Sequence, residues 1–327
     1  MAIEIGPGWT IGGGISIVGP PSTATAGWYA GGFAGGFVSS VSRSTFATDT
    51  ATTTTRGSLT STLFFGAGGT GTNTDGWFGG GYSEPLSFKS SVNRITYATD
   101  TATASSRGPL AASGYGTTAT SDGTTYGWWG GTKTGTGANG WSSVVSRIIF
   151  ATDTATASSR GPLTTNKAAA GATGSTTDGW YGGGETGAGT YISTVDRITY
   201  ATDTATAVAR GPLAVICYRM AGMVTDISTY GWYAIGLATP GGVSSMIQRI
   251  TYANDTATSV ARGPLTSAKY YGSATTDNST YGWFAGGNPG PTSGINRITY
   301  ATDTATATDR GNLVTGSRAI SSSSGIQ

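Results

Sequence analysis

The residues best equipped for chemistry in this chain are arginine and aspartate, and they recur in a fixed pattern. Arg43, Arg94, Arg147, Arg197, Arg249 and Arg297 each open a segment reading RSTFATDTAT, RITYATDTAT, RIIFATDTAT or RITYANDTAT, which places Asp49, Asp100, Asp153, Asp203, Asp255 and Asp303 at one common spacing behind them. A second arginine follows in RGSL, RGPL or RGNL, at Arg56, Arg107, Arg160, Arg210, Arg262 and Arg310. Six Arg-to-Asp motifs could be six anion sites. The repetition argues otherwise, because a group present in every copy serves the copy: the aspartate can cap a tight turn, and the arginines can pair with carbonyls or carboxylates between copies. Twelve of the 14 arginines occupy these positions, which leaves little charge for a function outside the repeat.

Other catalytic groups are scarce. Histidine is absent and Cys217 is the single cysteine, so the commonest metal ligand and general base is missing and no intramolecular disulfide can form. The glycines around Gly182–Gly184 neither precede a predicted helix as a Gly-x-Gly-x-x-Gly nor adjoin a Walker lysine. The expectation is a protein that is not an enzyme and has no cofactor. Charged residues make up 10% of the chain and the net charge is +2, which offers no field for nucleic acid. No apolar run approaches the roughly 20 residues a membrane helix needs, so no membrane insertion is expected, and Met1 to Trp9 carry no basic region of a secretory signal.

These motifs are positioned by a repeat. Gly-Trp pairs put Trp28, Trp77, Trp128, Trp180, Trp232 and Trp283 at equivalent places, a propeller-like period. Only three Glu and four Lys are present among abundant Gly, Ser, Thr and Ala, which argues against a helical solenoid. Each copy reads as four strands. In the fourth copy they are a small-residue strand ending near Ser175, GWYGGG from Gly179, RITYAT from Arg197, and a last strand reaching Arg210-Gly211-Pro212-Leu213. Alternation puts Ile198 and Tyr200 on one face and Arg197 and Thr199 on the other. The first copy begins at its second strand, and residues 317 to 325 look like a first strand with no second after it. The expected fold is an all-β, six-bladed β-propeller of four-stranded blades over residues 27–327, closed by the C-terminal strand, after an extension over residues 1–26.

Lys167, Gly183-Gly184, Tyr200 and Asp203 resemble the basic residue, double glycine, tyrosine and turn of a kelch repeat, and the likeness extends over most of the chain. One feature departs: kelch tryptophan belongs on the fourth strand, where Ala207 stands here, and tryptophan is on the second instead. The kelch-related copper oxidases need histidine ligands this chain lacks. The wording GWYGGG, RITYATDTATASSRGPL and IEIGPGWTIGGGISI is also similar to repeat proteins of bacteriophage virions, marine ones especially. That resemblance implies a virion structural protein, such as a tail fibre, tail-associated protein or head appendage, made in the host cytoplasm without a signal peptide. The other readings are a free carbohydrate-binding lectin, more distantly a glycan-cleaving depolymerase and, last, an intracellular kelch scaffold.

Function is expected where copies differ, chiefly between second and third strands. There Trp141, Tyr191, Tyr82 and Phe88 stand in polar, glycine-rich loops, either as anchors for a host-surface glycan or protein or as caps on their own blades. Lys167, Arg219, Lys269 and Arg318, ahead of the first strands, belong near the mouth of a central channel, where they can attract an anionic glycan or serve the blade. The fifth copy departs most, with Ala234-Ile235-Gly236 and with Ile216, Cys217, Tyr218, Met220 and Met223 in place of small residues. Local repacking and contact with another subunit of a homo-oligomer both fit. In the extension, Ile3, Ile5, Trp9 and Ile11 are expected to anchor the chain to other virion proteins, entering on the face opposite the variable loops.

Overall fold

The computed structural model describes residues 23–62, 67–83, 87–135 and 140–325. The anchoring residues Ile3, Ile5, Trp9 and Ile11 lie outside them. The described fold is all-β, and its only helical elements are 3-10 turns such as Tyr200–Thr202. Among the described residues there are six four-stranded antiparallel sheets, an arrangement consistent with a propeller. The fourth runs Gly171–Gly174, Asp178–Gly182, Val195–Thr199 and Val208–Arg210, each strand hydrogen-bonded to the next. Ser321–Gly325 pairs with Ala26–Ala30 over five residues, so the C-terminal strand occupies the inner position of the first sheet.

The strands form because their side chains alternate between two environments. In Val195–Thr199 and the residue after it, Ile198 and Tyr200 are buried while Arg197 and Thr199 are half-buried. Inner strands consist of small residues because they crowd one another. A Cβ on Gly69 would run into the backbone carbonyl of Ser322 on the neighbouring inner strand.

The repeated motifs join each sheet to the next. The indole Nε1–H of Trp28, Trp77, Trp128, Trp180, Trp232 and Trp283 donates to the carboxylate of Asp100, Asp153, Asp203, Asp255, Asp303 and Asp49 respectively, at 2.7–2.9 Å. An arginine from the third strand donates to the same oxygen at 2.9–3.2 Å. The RG arginine brings its Nε to 3.3–3.6 Å of that oxygen, an ion pair without hydrogen-bond alignment. Each tryptophan also stacks on the Tyr or Phe that ends the next sheet's third strand, with centroids 3.8–4.2 Å apart. The contacts run from each sheet to its successor and from the sixth sheet to the first. The repeated aspartate is thus less a cap for its own turn than an acceptor for the sheet before it.

The glycine of RGPL follows from the same packing. Gly161 donates its N–H to the Asp203 carbonyl at 2.8 Å, and a Cβ there would overlap the Ala205 carbonyl oxygen. The proline, which has no N–H to satisfy, accepts instead: Pro162 takes the Ala207 N–H at 2.9 Å. Leu163 then fills the apolar cluster around Trp128, Tyr181 and Ile198.

One pair of positions covaries. Where Asp precedes Gly-Trp, the third-strand arginine approaches it, with Arg94 Nε 3.7 Å from Asp75 and Arg197 Nε 3.6 Å from Asp178. Where Tyr precedes Gly-Trp, the guanidinium lies over the ring, with Arg147 on Tyr126 at 4.5 Å, Arg249 on Tyr230 at 3.9 Å and Arg297 on Tyr281 at 4.2 Å.

Candidate functional site

Between the inner strands lies a cavity of about 300 Å³. Its walls are inner-strand residues such as Gly68, Thr118, Gly222 and Ser273. Its larger side chains are Tyr82, Phe88, Tyr115, Glu185, Arg219, Met220, Met223 and Tyr271. The first four come from, or lie beside, the segments in which the copies differ.

A backbone device sets the direction of several of these side chains. Just before the inner strands, Gly116, Ala169, Arg219, Tyr271 and Ala319 take left-handed conformations, with φ of 69°, 54°, 52°, 56° and 55°. The last four each donate to the equivalent residue of the sheet before: Ala169 N–H to Gly116 O, Arg219 to Ala169, Tyr271 to Arg219 and Ala319 to Tyr271, at 2.6–3.2 Å. All five line the cavity. The fifth copy carries one extra residue here, because three steps separate Arg219 from Gly222 where two separate Ala169 from Gly171.

The expected basic group divides accordingly. Lys167 and Lys269 sit two residues ahead of the left-handed position and are buried, not ligand-facing. Lys167 Nζ lies 2.9 Å from Asp196, off the hydrogen-bond axis, and donates to the Tyr181 carbonyl at 2.8 Å; both ionic side chains are completely buried. Burial lowers the Lys167 pKa and Asp196 opposes that shift, while burial pushes the adjacent Cys217 thiol up to about 12. Asp196 stands where other copies have Asn93, Ser146, Gln248 or Asn296, so the ion pair is a matched departure within the fourth copy. Arg318 is one residue ahead, its guanidinium 4.8 Å from the Phe33 ring and bonded to Asn288 Oδ1 at 3.1 Å. Only Arg219 holds the left-handed position and lines the cavity, between the rings of Tyr218 at 5.2 Å and Tyr271 at 5.1 Å. The mouth is therefore not the basic funnel that would attract an anionic glycan.

Burial of Lys269 has a measurable consequence. Burial lowers its pKa from 10.5 to about 8, with Asp309 opposing the shift. Below pH 8 the amine is protonated in both states and the folded chain bears the whole cost of burying it. Between pH 8 and 10.5 the unfolded chain binds the extra proton, so stability rises with pH. Lys269→Met is expected to stabilise the protein by about 1–3 kcal/mol at pH 7 and to flatten that rise. Thermal melts of both proteins from pH 7 to 10 measure it.

The loop aromatics also separate. Tyr82 and Phe88 line the cavity and meet Tyr115 at 5.5 and 5.7 Å. Tyr191 stacks on Tyr218 at 3.7 Å, and burial together with Tyr191 pushes the Tyr218 phenol up to about 12. Trp141 is 6% exposed, with Lys133 Nζ lying 4.1 Å from its ring. It covers its own sheet and is no exposed anchor. Cys217 and Ile235 of the fifth copy are core residues, and Met220, buried in the same cluster, and Met223 both reach the cavity. Sequence reasoning overlooked Glu185, Tyr115 and Tyr271. An alignment on the left-handed position shows Tyr271, since a bulky side chain there replaces glycine or alanine.

Residues 24 and 25 enter beside a turn between inner and second strands: Ala24 N–H donates to Asp277 O at 3.3 Å and Thr25 N–H to Gly325 O at 2.9 Å. That end of the first sheet is opposite the 31–39 connection. Among the described residues no three Cys, Asp or Glu gather as a metal site, and no helix is long and apolar enough to cross a membrane. No known family model matches the chain, and no curated protein sequence matches it.

Proposed function

We propose that the six sheets are blades of one six-bladed β-propeller, closed where Ser321–Gly325 joins Ala26–Ala30, and that it is a non-enzymatic binding module. Support for the ring comes from the Trp-Arg-Asp contact between sixth and first sheets, which repeats the other five. Support for binding comes chiefly from one observation: the copies agree where sheets are joined and diverge around the cavity, where Tyr82, Phe88, Tyr115, Arg219 and Tyr271 collect. Aromatic faces with a few polar groups suit a sugar or a protein surface.

The similarity of the repeats to virion proteins supplies the setting. In this reading the propeller is carried on a phage particle, residues 1–26 hold it to other virion proteins, and the variable loops face outward to a host-surface glycan or protein. The entry of residues 24 and 25 at the end opposite those loops agrees with that polarity.

Two measurements test the reading. On a glycan array and on host-cell surfaces, the full chain is expected to bind, and a Tyr82→Ala/Phe88→Ala double variant to bind at least tenfold more weakly with its fold retained. Mass spectrometry of purified particles is expected to find the chain. Its absence there would remove the virion assignment, and a chain inert toward both surfaces would remove the binding role.

A further inference from the structure

Resting on that binding role, we infer that the central cavity is a subsite for one neutral hexopyranose ring, bound through Arg219 and Glu185 against an aromatic wall. At about 300 Å³ the space is at the lower end of small-ligand pockets, which suits a single ring better than an extended oligosaccharide. Tyr115 and Tyr271 line it together with Tyr82 and Phe88, an aromatic wall of the kind that takes the C–H face of a pyranose.

The charges decide the class. Arg219 and Glu185 are opposite in sign and line the same space, and among the described residues neither takes part in an ion pair. Arg219 lines the cavity with its guanidinium held between the rings of Tyr218 and Tyr271. A carboxylate that accepts two O–H groups and a guanidinium that only donates are complementary to neighbouring sugar hydroxyls. An acidic sugar would meet Glu185 unfavourably, and an amino sugar would meet Arg219 unfavourably. Of the other basic residues ahead of the inner strands, Lys167 and Lys269 are buried in the sheets, Arg318 is bonded to Asn288, and none of the three lines the cavity.

The backbone is a second, independent indication. Arg219 and Tyr271 occupy a conformation that glycine adopts freely and that L side chains rarely take, at positions where the third and fourth copies have Gly116 and Ala169. Strained positions that nonetheless carry large side chains are enriched at ligand sites. Glycine at 219 keeps the required φ while deleting the guanidinium. Arg219→Gly therefore removes the proposed donor without forcing the frame to change.

The test is calorimetric and saturation-transfer NMR titration of the full chain with methyl glucoside, methyl galactoside and methyl mannoside, beside glucuronate and glucosamine. At least one neutral glycoside is expected to bind with millimolar affinity through the C–H face of its ring. Arg219→Gly and Glu185→Gln are each expected to weaken that binding at least tenfold while melting within a few degrees of the parent. Preference for glucuronate or glucosamine, no neutral binding, or undiminished affinity in both variants overturns the inference. Array binding that survives both substitutions overturns the subsite and leaves the binding module standing; a parent chain that binds no glycan and no host surface removes both.

Discussion

Asp203→Ala is expected to lower the unfolding free energy by about 2–4 kcal/mol. One oxygen of Asp203 receives Trp128 Nε1 at 2.7 Å and Arg147 at 3.0 Å, with Arg160 Nε at 3.6 Å. The aspartate side chain is 5% exposed, and its removal leaves an indole N–H and two guanidinium groups without their acceptor. The arginines are 16% and 19% exposed, so water recovers part of the loss, which is why the figure lies below that for a fully buried pair. Asp203→Asn keeps a neutral acceptor for the indole and should fall between parent and alanine. Asp122 is the control: it accepts three backbone N–H groups of an exposed turn, from Thr124, Thr125 and Tyr126, and its loss should cost about 1 kcal/mol. Urea denaturation of the four proteins gives the order. Equal losses at 122 and 203 would show that Asp203 serves its own turn and not the junction between sheets.

Ending the chain at Gly316 is expected to have the larger effect. It strips Ala26–Ala30 of the strand paired with it over five residues, at about 1 kcal/mol for each hydrogen bond lost. It also takes Ile320 from the cluster of Tyr29 and Trp283 and Ser323 from the Tyr97 hydroxyl, 2.6 Å away. The exposed strand edge should then pair with other chains, so the truncated protein should elute as oligomers or precipitate. A synthetic peptide of residues 317–327 should restore a monomer by adding the missing strand. Size-exclusion chromatography with and without peptide reads both effects. A truncated chain that stays monomeric and melts as the parent does would contradict the proposed closure.

Much of the sheet architecture was legible because each copy repeats it. Trp180, Arg197 and Asp203 mark the second strand, third strand and following turn, and alternation separates Ile198 from Arg197. The cavity was less legible for a geometric reason. Lys167, Arg219, Lys269 and Arg318 all precede small-residue strands, but a left-handed residue interrupts the alternation just there. A shift of one or two residues separates a buried lysine from an arginine facing the cavity. The extra residue in the fifth copy hides that shift from simple spacing. The Lys167–Asp196 pair was obscured similarly: each partner looks like an ordinary charged residue until the two are seen as simultaneous departures in one copy. Glu185 gave no local signal, since its role depends on Arg219 from the next copy.

The left-handed residues have a consequence for change over time. Their frame is held by main-chain bonds from Ala319 through Tyr271, Arg219 and Ala169 to Gly116, so a side chain there can be exchanged without touching any bond that aligns the sheets. Glycine, alanine, arginine and tyrosine already occupy these places in one molecule. In the proposed binding role, such a protein can alter what it recognises by single substitutions around one opening while its assembly chemistry stays constant, as suits a surface in pursuit of a shifting target.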